Sequence, residues 1–427
     1  MSRVGHERGA ARLAARHALA YPARLPATGR RVTSKPIAPR GRLFFANPGP
    51  TNIPDSILLA TAHATIDSND PRFVPVYEEC VAGLKSILRT TGHVFFYTGS
   101  GHSAWEASLV NLFSPGDRLL VVETGHFSED WSQMARDLGL EVETVAADWR
   151  RGCDPDAVRV ALEEDRGHRI RAVCAVHNET STGMTLPLAR IRAAMDAARH
   201  PALLLADTIS SLGSIDFRMD DWGVDVAVGG SQKGLMMPTG LGFTGVSARA
   251  LEAHPRARLP RHYLDWSRML KRPMKSFVGT APTPMFYGMK ESLRLIAEEG
   301  LDAVFARHSR LARAVRAAVR QWSGNHGPQL FCLDPSRLSD SVTAVLMPEG
   351  HDAERLRAST LGRFNVSLGG GLSRLSGRVF RIGHLGDLNE PMVLGTLASV
   401  EMALKLEGIP HAPGGVDAAM AELVAAG

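Results

Sequence analysis

A lysine between small residues is the residue of this chain best suited to chemistry. Lys233 lies in residues 229–234 (GGSQKG), directly after the apolar run 224–228. Only seven lysines occur among the 49 lysines and arginines, so a lysine here suggests a use for an amine that can lose its proton. Upstream, the apolar run 203–206 leads directly into Asp207. A carboxylate there is costly to bury unless a ligand or a neighbouring arginine supplies a positive charge.

Lys233 and Asp207 belong to a repeating pattern between residues 90 and 245. Short apolar runs that end in small polar residues alternate with helical stretches. The pattern predicts strands at residues 94–97, 119–122, 172–176, 203–206 and 224–228, and helices at 103–112, 128–138 and 188–198. This alternation is typical of a parallel sheet that is covered on both faces. Ligands bind such sheets at the carboxyl ends of the strands, so the residues after each run are site candidates.

The other strand ends could supply an anion cradle, an aromatic ring and a polar lining. Residues 98–102 (TGSGH) open a predicted helix, whose N–H groups and dipole favour an anion. Phe127 could stack on a planar group. Residues 177–183 (HNETSTG) are too polar to be buried unless they line a site. Taken singly, these features are equally typical of a glycine turn, a core phenylalanine and a solvated loop.

Together, the five strand ends match the needs of one cofactor, pyridoxal 5'-phosphate (PLP). PLP combines a phosphate, a flat ring, a ring nitrogen that a carboxylate keeps protonated, and an aldehyde that forms a Schiff base with lysine. We therefore expect PLP to be the cofactor, with Lys233 and Asp207 as the catalytic residues.

Composition and charge exclude several classes of protein. Hydrophobic residues make up 44% and charged residues 22% of the chain, as in ordinary globular proteins. No apolar run approaches the ~20 residues of a membrane helix. Residues 1–40 carry a net charge of +8 within a total of +5, so the rest of the chain is not basic and we expect no nucleic-acid partner. The four cysteines lack metal-site or disulfide spacing, so we expect no metal and a reducing compartment.

The chain is too long for a single core, so two domains are expected. Residues 1–40 are predicted to be a disordered basic extension, residues 41–300 the large PLP-binding domain and residues 301–427 a smaller α+β domain. The extension is acid-poor and resembles a transit peptide in composition. We expect a cytoplasmic location. If the source is eukaryotic, this extension would instead indicate targeting to an organelle. Beyond residue 280 the pattern predicts helices at residues 285–299, 301–322, 391–404 and 416–426, and strands at 341–346 and 378–382.

The chain resembles the class V aminotransferases of PLP fold type I, and within them the serine–glyoxylate and alanine–glyoxylate aminotransferases. The resemblance extends from about residue 44 to about residue 404. Its most specific segments are residues 48–52 (PGPTN), 176–183 (VHNETSTG), 207–213 (DTISSLG), 230–234 (GSQKG) and 381–386 (RIGHLG). The implied fold class is α/β, with a mostly parallel seven-stranded sheet in the large domain and a smaller C-terminal α+β domain.

The resemblance also implies a role for each matching position. Lys233 would carry the cofactor and move the proton, and Asp207 would pair with the ring nitrogen. The other positions that would contact the cofactor are Ser100, Gly101, His102, Phe127, Thr180, Ile209, Gln232 and Thr280. Arg381 would hold the substrate carboxylate, with the backbone around Gly49 closing over it. Thr280 would reach the phosphate from the partner subunit, which implies a homodimer with active sites at its interface.

The implied reaction is transamination from a small L-amino acid to glyoxylate, which yields glycine and a 2-oxo acid. Serine is the favoured donor, because Trp105 and Glu106 match the serine branch. Alanine is the alternative, because His102 matches the alanine branch. Aspartate–glyoxylate transamination, pyridoxamine–pyruvate transamination, desulfuration and a non-catalytic binding protein of the same fold remain alternatives. A desulfurase needs a mobile cysteine, but Cys332 lies in an apolar segment typical of a strand.

Overall fold

The computed structural model of the chain describes residues 41–272 and 277–425, so the expectations for residues 1–40 lie outside the described residues. The strands are β1 (Phe44–Ala46), β2 (His93–Gly99), β3 (Arg118–Val122), β4 (Glu141–Val145), β5 (Ile170–Val176), β6 (Asn178–Glu179), β7 (Met184–Thr185), β8 (Leu203–Asp207), β9 (Val226–Gly230), β10 (Gly240–Val246), β11 (Gln329–Leu330), β12 (Val342–Leu346), β13 (Val366–Gly370) and β14 (Val379–Gly383). The α-helices are α1 (Asp55–Thr61), α2 (Phe73–Leu88), α3 (Gly101–Leu112), α4 (His126–Asp137), α5 (Pro155–Glu164), α6 (Leu188–Ala197), α7 (Ala248–Ala253), α8 (Trp266–Leu270), α9 (Thr283–Glu299), α10 (Leu301–Trp322), α11 (Ala353–Phe364), α12 (Glu390–Leu406) and α13 (Gly415–Ala425).

A seven-stranded sheet contains all five strands that the sequence pattern predicts before residue 245. Its order is β2-β10-β9-β8-β5-β3-β4. Neighbouring strands from β9 to β4 are parallel, whereas β10 runs antiparallel to both β2 and β9. The pattern missed β4 and β10. Strand β10 contains three glycines, so it lacks a strong strand signature. One of them, Gly242, lets α3 approach the sheet, since a Cβ there would lie 2.5 Å from the Ser100 carbonyl oxygen.

Two apolar layers cover the faces of this sheet, because successive side chains of a strand point to opposite sides. In β3, Leu120 and Val122 join a core with α2, α5, α6 and α9. Leu119 and Val121 join the opposite core with α3, α4, α7 and α8. The expected α/β architecture, with helices on both faces of a mostly parallel sheet, is confirmed.

The second sheet has five strands in the order β1-β13-β14-β12-β11. Helices α10, α11, α12 and α13 pack on it around a separate core. Its first strand, β1, is distant in sequence and pairs in parallel with β13. The boundary between residues 300 and 301 stays a prediction, and Gly300 separates α9 from α10 there. None of the helices in the described residues is long and apolar enough to cross a membrane.

Asp225 joins three strands at the edge of the large sheet opposite the carboxyl ends. The carboxylate is buried and accepts hydrogen bonds from Leu204 N at 2.8 Å, Ser247 Oγ at 3.1 Å and Arg249 Nε at 2.8 Å. Arg249 Nη2 is a further donor. All four partners donate, so the ionised carboxylate satisfies every contact.

Asp225→Asn is expected to lower the free energy of unfolding by about 1.5–3 kcal/mol, because the amide removes the charge and places N–H donors against donors. Chemical denaturation measures the change. Asp221→Asn is the control, since Asp221 is exposed on the same loop, and its effect is expected to stay within about 0.5 kcal/mol. Equal effects of the two substitutions would contradict the assigned role of Asp225.

Candidate active site

The carboxyl ends of β2, β5, β8 and β9 surround a cavity, which we call the strand-end cavity. Its volume is about 90 Å³. It is lined by Gly101, His102, Trp105, Phe127, Asn178, Thr180, Asp207, Ile209, Ser210, Gln232 and Lys233. The lining contains most of the site residues that the sequence predicts; the exceptions are Gly49, Ser100, Thr280 and Arg381.

Asp207 is the last residue of β8, and its carboxylate is held by two donors. Oδ1 accepts from the backbone N–H of Ile209 at 2.7 Å, and Oδ2 accepts from Trp105 Nε1 at 3.1 Å. Burial and, to a smaller extent, the nearby charge of Glu179 raise the pKa of Asp207 to about 7. The two hydrogen bonds and Lys233 favour the charged form. A ligand cation next to this carboxylate would relieve the cost of burying it.

Lys233 follows β9 by three residues and points its amine into the site. Nζ donates to the Pro48 carbonyl oxygen at 2.5 Å. Burial and the nearby charge of Arg381 lower the pKa of Lys233 to about 8, and Asp207 opposes the shift. The approach of the lysine requires glycine at position 49, because a Cβ on Gly49 would lie 2.3 Å from Nζ. Gly49 therefore belongs to the site without lining the cavity.

The amino terminus of α3 faces the same cavity. Ser100 is its N-cap residue but does not line the cavity. Gly101 allows the helix to meet Ile209, since a Cβ there would lie 2.2 Å from Ile209 Cδ1. The amide of Gln232 is close by, and its Oε1 is buried without a hydrogen-bond partner among the described residues. Free helix N–H groups are suited to holding an anion, whereas the buried Gln232 oxygen needs a donor.

Phe127 is the aromatic wall of the strand-end cavity. It is the second residue of α4, and its ring meets Trp105 edge to face, with 6.3 Å between ring centroids. Trp105 itself stacks on Trp131 at 5.7 Å and is fully buried. The ring of Phe127 is therefore supported from behind by a packed aromatic layer.

Arg381 reaches the site from the second sheet. It is the third residue of β14, is buried, and donates to Gly370 O from Nε at 2.7 Å and to Thr180 O from Nη1 at 3.2 Å. Burial lowers the pKa of Arg381 to about 10, and Glu179 opposes that shift. No described residue bonds its Nη2. Arg381 is thus held next to the cavity with donors left for an anion, and it is not a surface arginine.

Thr280 stands apart from the other predicted positions. It is exposed, and it does not line the cavity of its own chain. The assigned contact from a partner subunit stays a prediction.

Sequence reasoning missed several residues that shape the site. Trp105, Asn178 and Ser210 line the cavity, but they entered the sequence argument only as motif members. Glu179 was also missed, although it is fully buried between the site residues. The available signal was its position in a polar loop after an apolar strand, where a carboxylate needs several donors.

The residues present fit PLP. The cavity presents an amine, a buried carboxylate that needs a cation, an aromatic face and a helix amino terminus. These groups match the aldehyde, ring nitrogen, ring and phosphate of PLP. Among residues 41–272 and 277–425, no group of three or more His, Cys, Asp or Glu side chains could hold a metal ion.

Comparison with known proteins identifies the family. The aminotransferase class-V profile matches residues 44–371. The chain is 43% identical to L-aspartate–glyoxylate aminotransferase of Paracoccus denitrificans, over 85% of this chain and 91% of that protein. It is 42% identical to serine–glyoxylate aminotransferase of Methylorubrum extorquens, over 90% and 96%. The crystal structure of alanine–glyoxylate aminotransferase from Nostoc sp. superposes with a TM-score of 0.79 at 30% identity, covering 87% of this chain and 98% of that one. The chain therefore belongs to the class V aminotransferases.

Proposed function

We propose that this aminotransferase uses PLP to transfer the amino group of a small L-amino acid to glyoxylate. The observation that carries the proposal is that Asp207 and Lys233 line the same cavity, at the ends of the adjacent strands β8 and β9. Serine is the favoured donor, with alanine as the alternative, and the products are glycine and hydroxypyruvate or pyruvate. The relatives that act with glyoxylate support the acceptor.

Each part of the cofactor would have a partner in or beside the strand-end cavity. Asp207 would hold the ring nitrogen, Phe127 would cover the ring face, and Thr180 would meet the ring hydroxyl. The phosphate would be held by Ser100, Gly101 and His102 at the start of α3 and by Gln232 after β9. When bound, PLP supplies the aldehyde that accepts an amino group and the ring that delocalises the electron pair of the donor Cα.

Lys233 is the group that moves protons. Its amine is next to Pro48 and Gly49, and its lowered pKa of about 8 leaves part of the population neutral at physiological pH. A neutral Nζ can take the proton from the donor Cα, and the charged form can return it to the cofactor carbon. The same atom therefore acts as base and acid in each half-reaction.

Arg381 and the backbone around Gly49 would bind the substrate carboxylate. Donor and acceptor both carry a carboxylate beside the reacting carbon, so a single guanidinium serves both half-reactions. The two backbone carbonyls that hold Arg381 fix the plane of its fork, which suits a bidentate contact.

Aspartate–glyoxylate transamination is the second candidate, because a protein of that name is 43% identical. Desulfuration is disfavoured: the four cysteines are buried, none lines the cavity, and burial raises the pKa of Cys332. We also propose a homodimer, with Thr280 of the partner subunit at the phosphate. A cytoplasmic location stays a prediction.

PLP-loaded protein is expected to form glycine from glyoxylate fastest with serine. Lys233→Ala is expected to abolish turnover, because among the described residues no other amine lines the cavity. A panel of serine, alanine and aspartate, read out by product formation, measures both. Lys290→Ala is the matched control, since Lys290 pairs with Glu79 away from the site. Normal turnover of the Lys233 variant would refute the proposal, and a rate highest with aspartate would reassign the donor.

Asp207→Asn is expected to retain the fold but to lose about 100-fold or more of the single-turnover rate, because an amide does not keep the ring nitrogen protonated. The carboxyl group also affects cofactor-free stability. Its folded pKa of about 7 lies above the unfolded value of about 3.9, so its contribution is present below pH ~4 and is lost as pH rises to ~7. The cofactor-free variant is expected to lack this decline in melting temperature. An unchanged single-turnover rate would remove Asp207 from the reaction.

Arg381→Lys is expected to lower kcat/KM for the donor and for glyoxylate alike. The loss of transition-state binding free energy is about 1–3 kcal/mol for each substrate, since lysine keeps the charge but loses the planar fork of the guanidinium. Steady-state kinetics with each substrate varied in turn measures the two losses. Arg378→Lys on the exposed approach to the same strand is the control. A loss confined to one substrate would mean that the other is bound elsewhere.

A further inference from the structure

The buried carboxylate of Glu179 contacts the first turn of the helix that carries Phe127. Oε2 accepts from the backbone N–H of Phe127 at 3.1 Å and of Ser128 at 3.2 Å. Oε1 accepts from Ser181 N at 3.1 Å and from Ser181 Oγ at 2.6 Å. These four groups all donate, so a carboxylate satisfies every contact. Burial raises the pKa of Glu179, and the four donors oppose that shift.

Ser181 completes the contact with α4. Its Oγ accepts from the backbone N–H of His126 at 3.0 Å while it donates to Glu179. Three successive N–H groups at the start of α4, those of His126, Phe127 and Ser128, are thus bonded by side chains more than 50 residues further along the chain. A helix leaves such groups without intrahelical partners, and a negative charge beside them is stabilising.

The fit between this loop and the helix is close. A Cβ on Gly125, the N-cap residue of α4, would lie 2.4 Å from Ser181 Oγ and 2.5 Å from Glu179 Cγ. Glycine at position 125 is therefore what allows the carboxylate to reach the helix end. The contact leaves little freedom for the backbone of Phe127, whose ring lines the strand-end cavity.

We propose that Glu179 is a positioning residue, which with Ser181 caps α4 from the neighbouring loop and so holds the Phe127 ring over the cofactor. The inference rests on the proposed function, because it concerns the same cavity. Glu179 touches neither the cofactor nor the substrate in this role; it acts through the backbone of Phe127.

Glu179→Gln is the direct test. Glutamine keeps the shape but offers one acceptor oxygen and an NH₂ group, which would face either the helix N–H groups or the donors of Ser181. PLP is removed and added back, and its Kd is measured from quenching of tryptophan fluorescence, together with the circular dichroism of the bound cofactor. The expected loss of PLP affinity is about 5- to 30-fold, with weaker cofactor dichroism.

A double-mutant cycle with Phe127→Leu separates positioning from a general structural effect. If Glu179 acts through the ring, Glu179→Gln weakens PLP binding less than about 2-fold in the Phe127→Leu background. The same factor in both backgrounds overturns the proposal. Glu129→Gln is the control, because Glu129 lies in the same helical turn but bonds Arg374 and Ser373 instead, and it is expected to leave the PLP Kd unchanged.

Ser181→Ala is the second test, to be used if the Glu179→Gln variant does not fold. It removes one donor to Glu179 and the acceptor of His126 N, so it is expected to produce the same background dependence with a smaller factor; equal factors again overturn the proposal. Failure of the wild-type protein to bind PLP would instead refute the proposed function, so the two failures are distinguishable.

Discussion

The burial of four ionisable side chains at one edge of the large sheet is the constraint on which the site depends. Glu179, Asp207, Lys233 and Arg381 lie close enough to shift one another's pKa values. Burying isolated charges is costly, so each has specific partners: backbone N–H groups for Glu179, Trp105 for Asp207, and backbone carbonyl oxygens for Lys233 and Arg381. The partners leave Asp207 and Arg381 incompletely neutralised, and this residual charge is available to bind a cofactor and a substrate.

The polar loop around β6 connects the elements that bear these charges. Asn178 Nδ2 donates to Ser210 Oγ at 2.9 Å beside the cavity and to Ser341 Oγ at 2.8 Å next to β12 of the second sheet. Thr180 accepts from Arg381 through its carbonyl oxygen, and Glu179 bonds α4. The loop is buried although it is polar, because its hydrogen-bonding groups meet partners from both sheets. It therefore links the helix that carries Phe127 to Arg381 of the second sheet.

The second sheet also contributes to the surroundings of Lys233, through its strand β1. β1 pairs with β13, and Asn47 Nδ2 donates to Ser367 Oγ at 2.9 Å. This pairing directs Pro48 and Gly49 over the lysine amine. Pro48, which follows β1, therefore accepts a hydrogen bond from Lys233 Nζ, and Arg381 of β14 lies close enough to lower the pKa of Lys233. A change in the position of the second sheet would move both the carbonyl of Pro48 and the guanidinium of Arg381.

The sequence by itself determined the parallel α/β architecture and the strand-end residues Asp207, Lys233, Gly101 and Phe127. Strand periodicity, glycine placement and the carboxyl-end rule are local, so they can be read without knowing which strands are neighbours. The resemblance to known sequences supplied Gly49 and Arg381, which no local pattern indicates, and it supplied the role of Thr180 within the polar loop. Only the tertiary structure decided the insertion of β10 between β2 and β9, the pairing of β1 with β13, the hydrogen bond from Trp105 to Asp207 and the contact of Glu179 with α4. These contacts join residues tens to hundreds of positions apart and are selected by packing and by the burial of charge. Hydrophobic periodicity cannot predict them, because it carries no information about which distant partner a buried polar group will find.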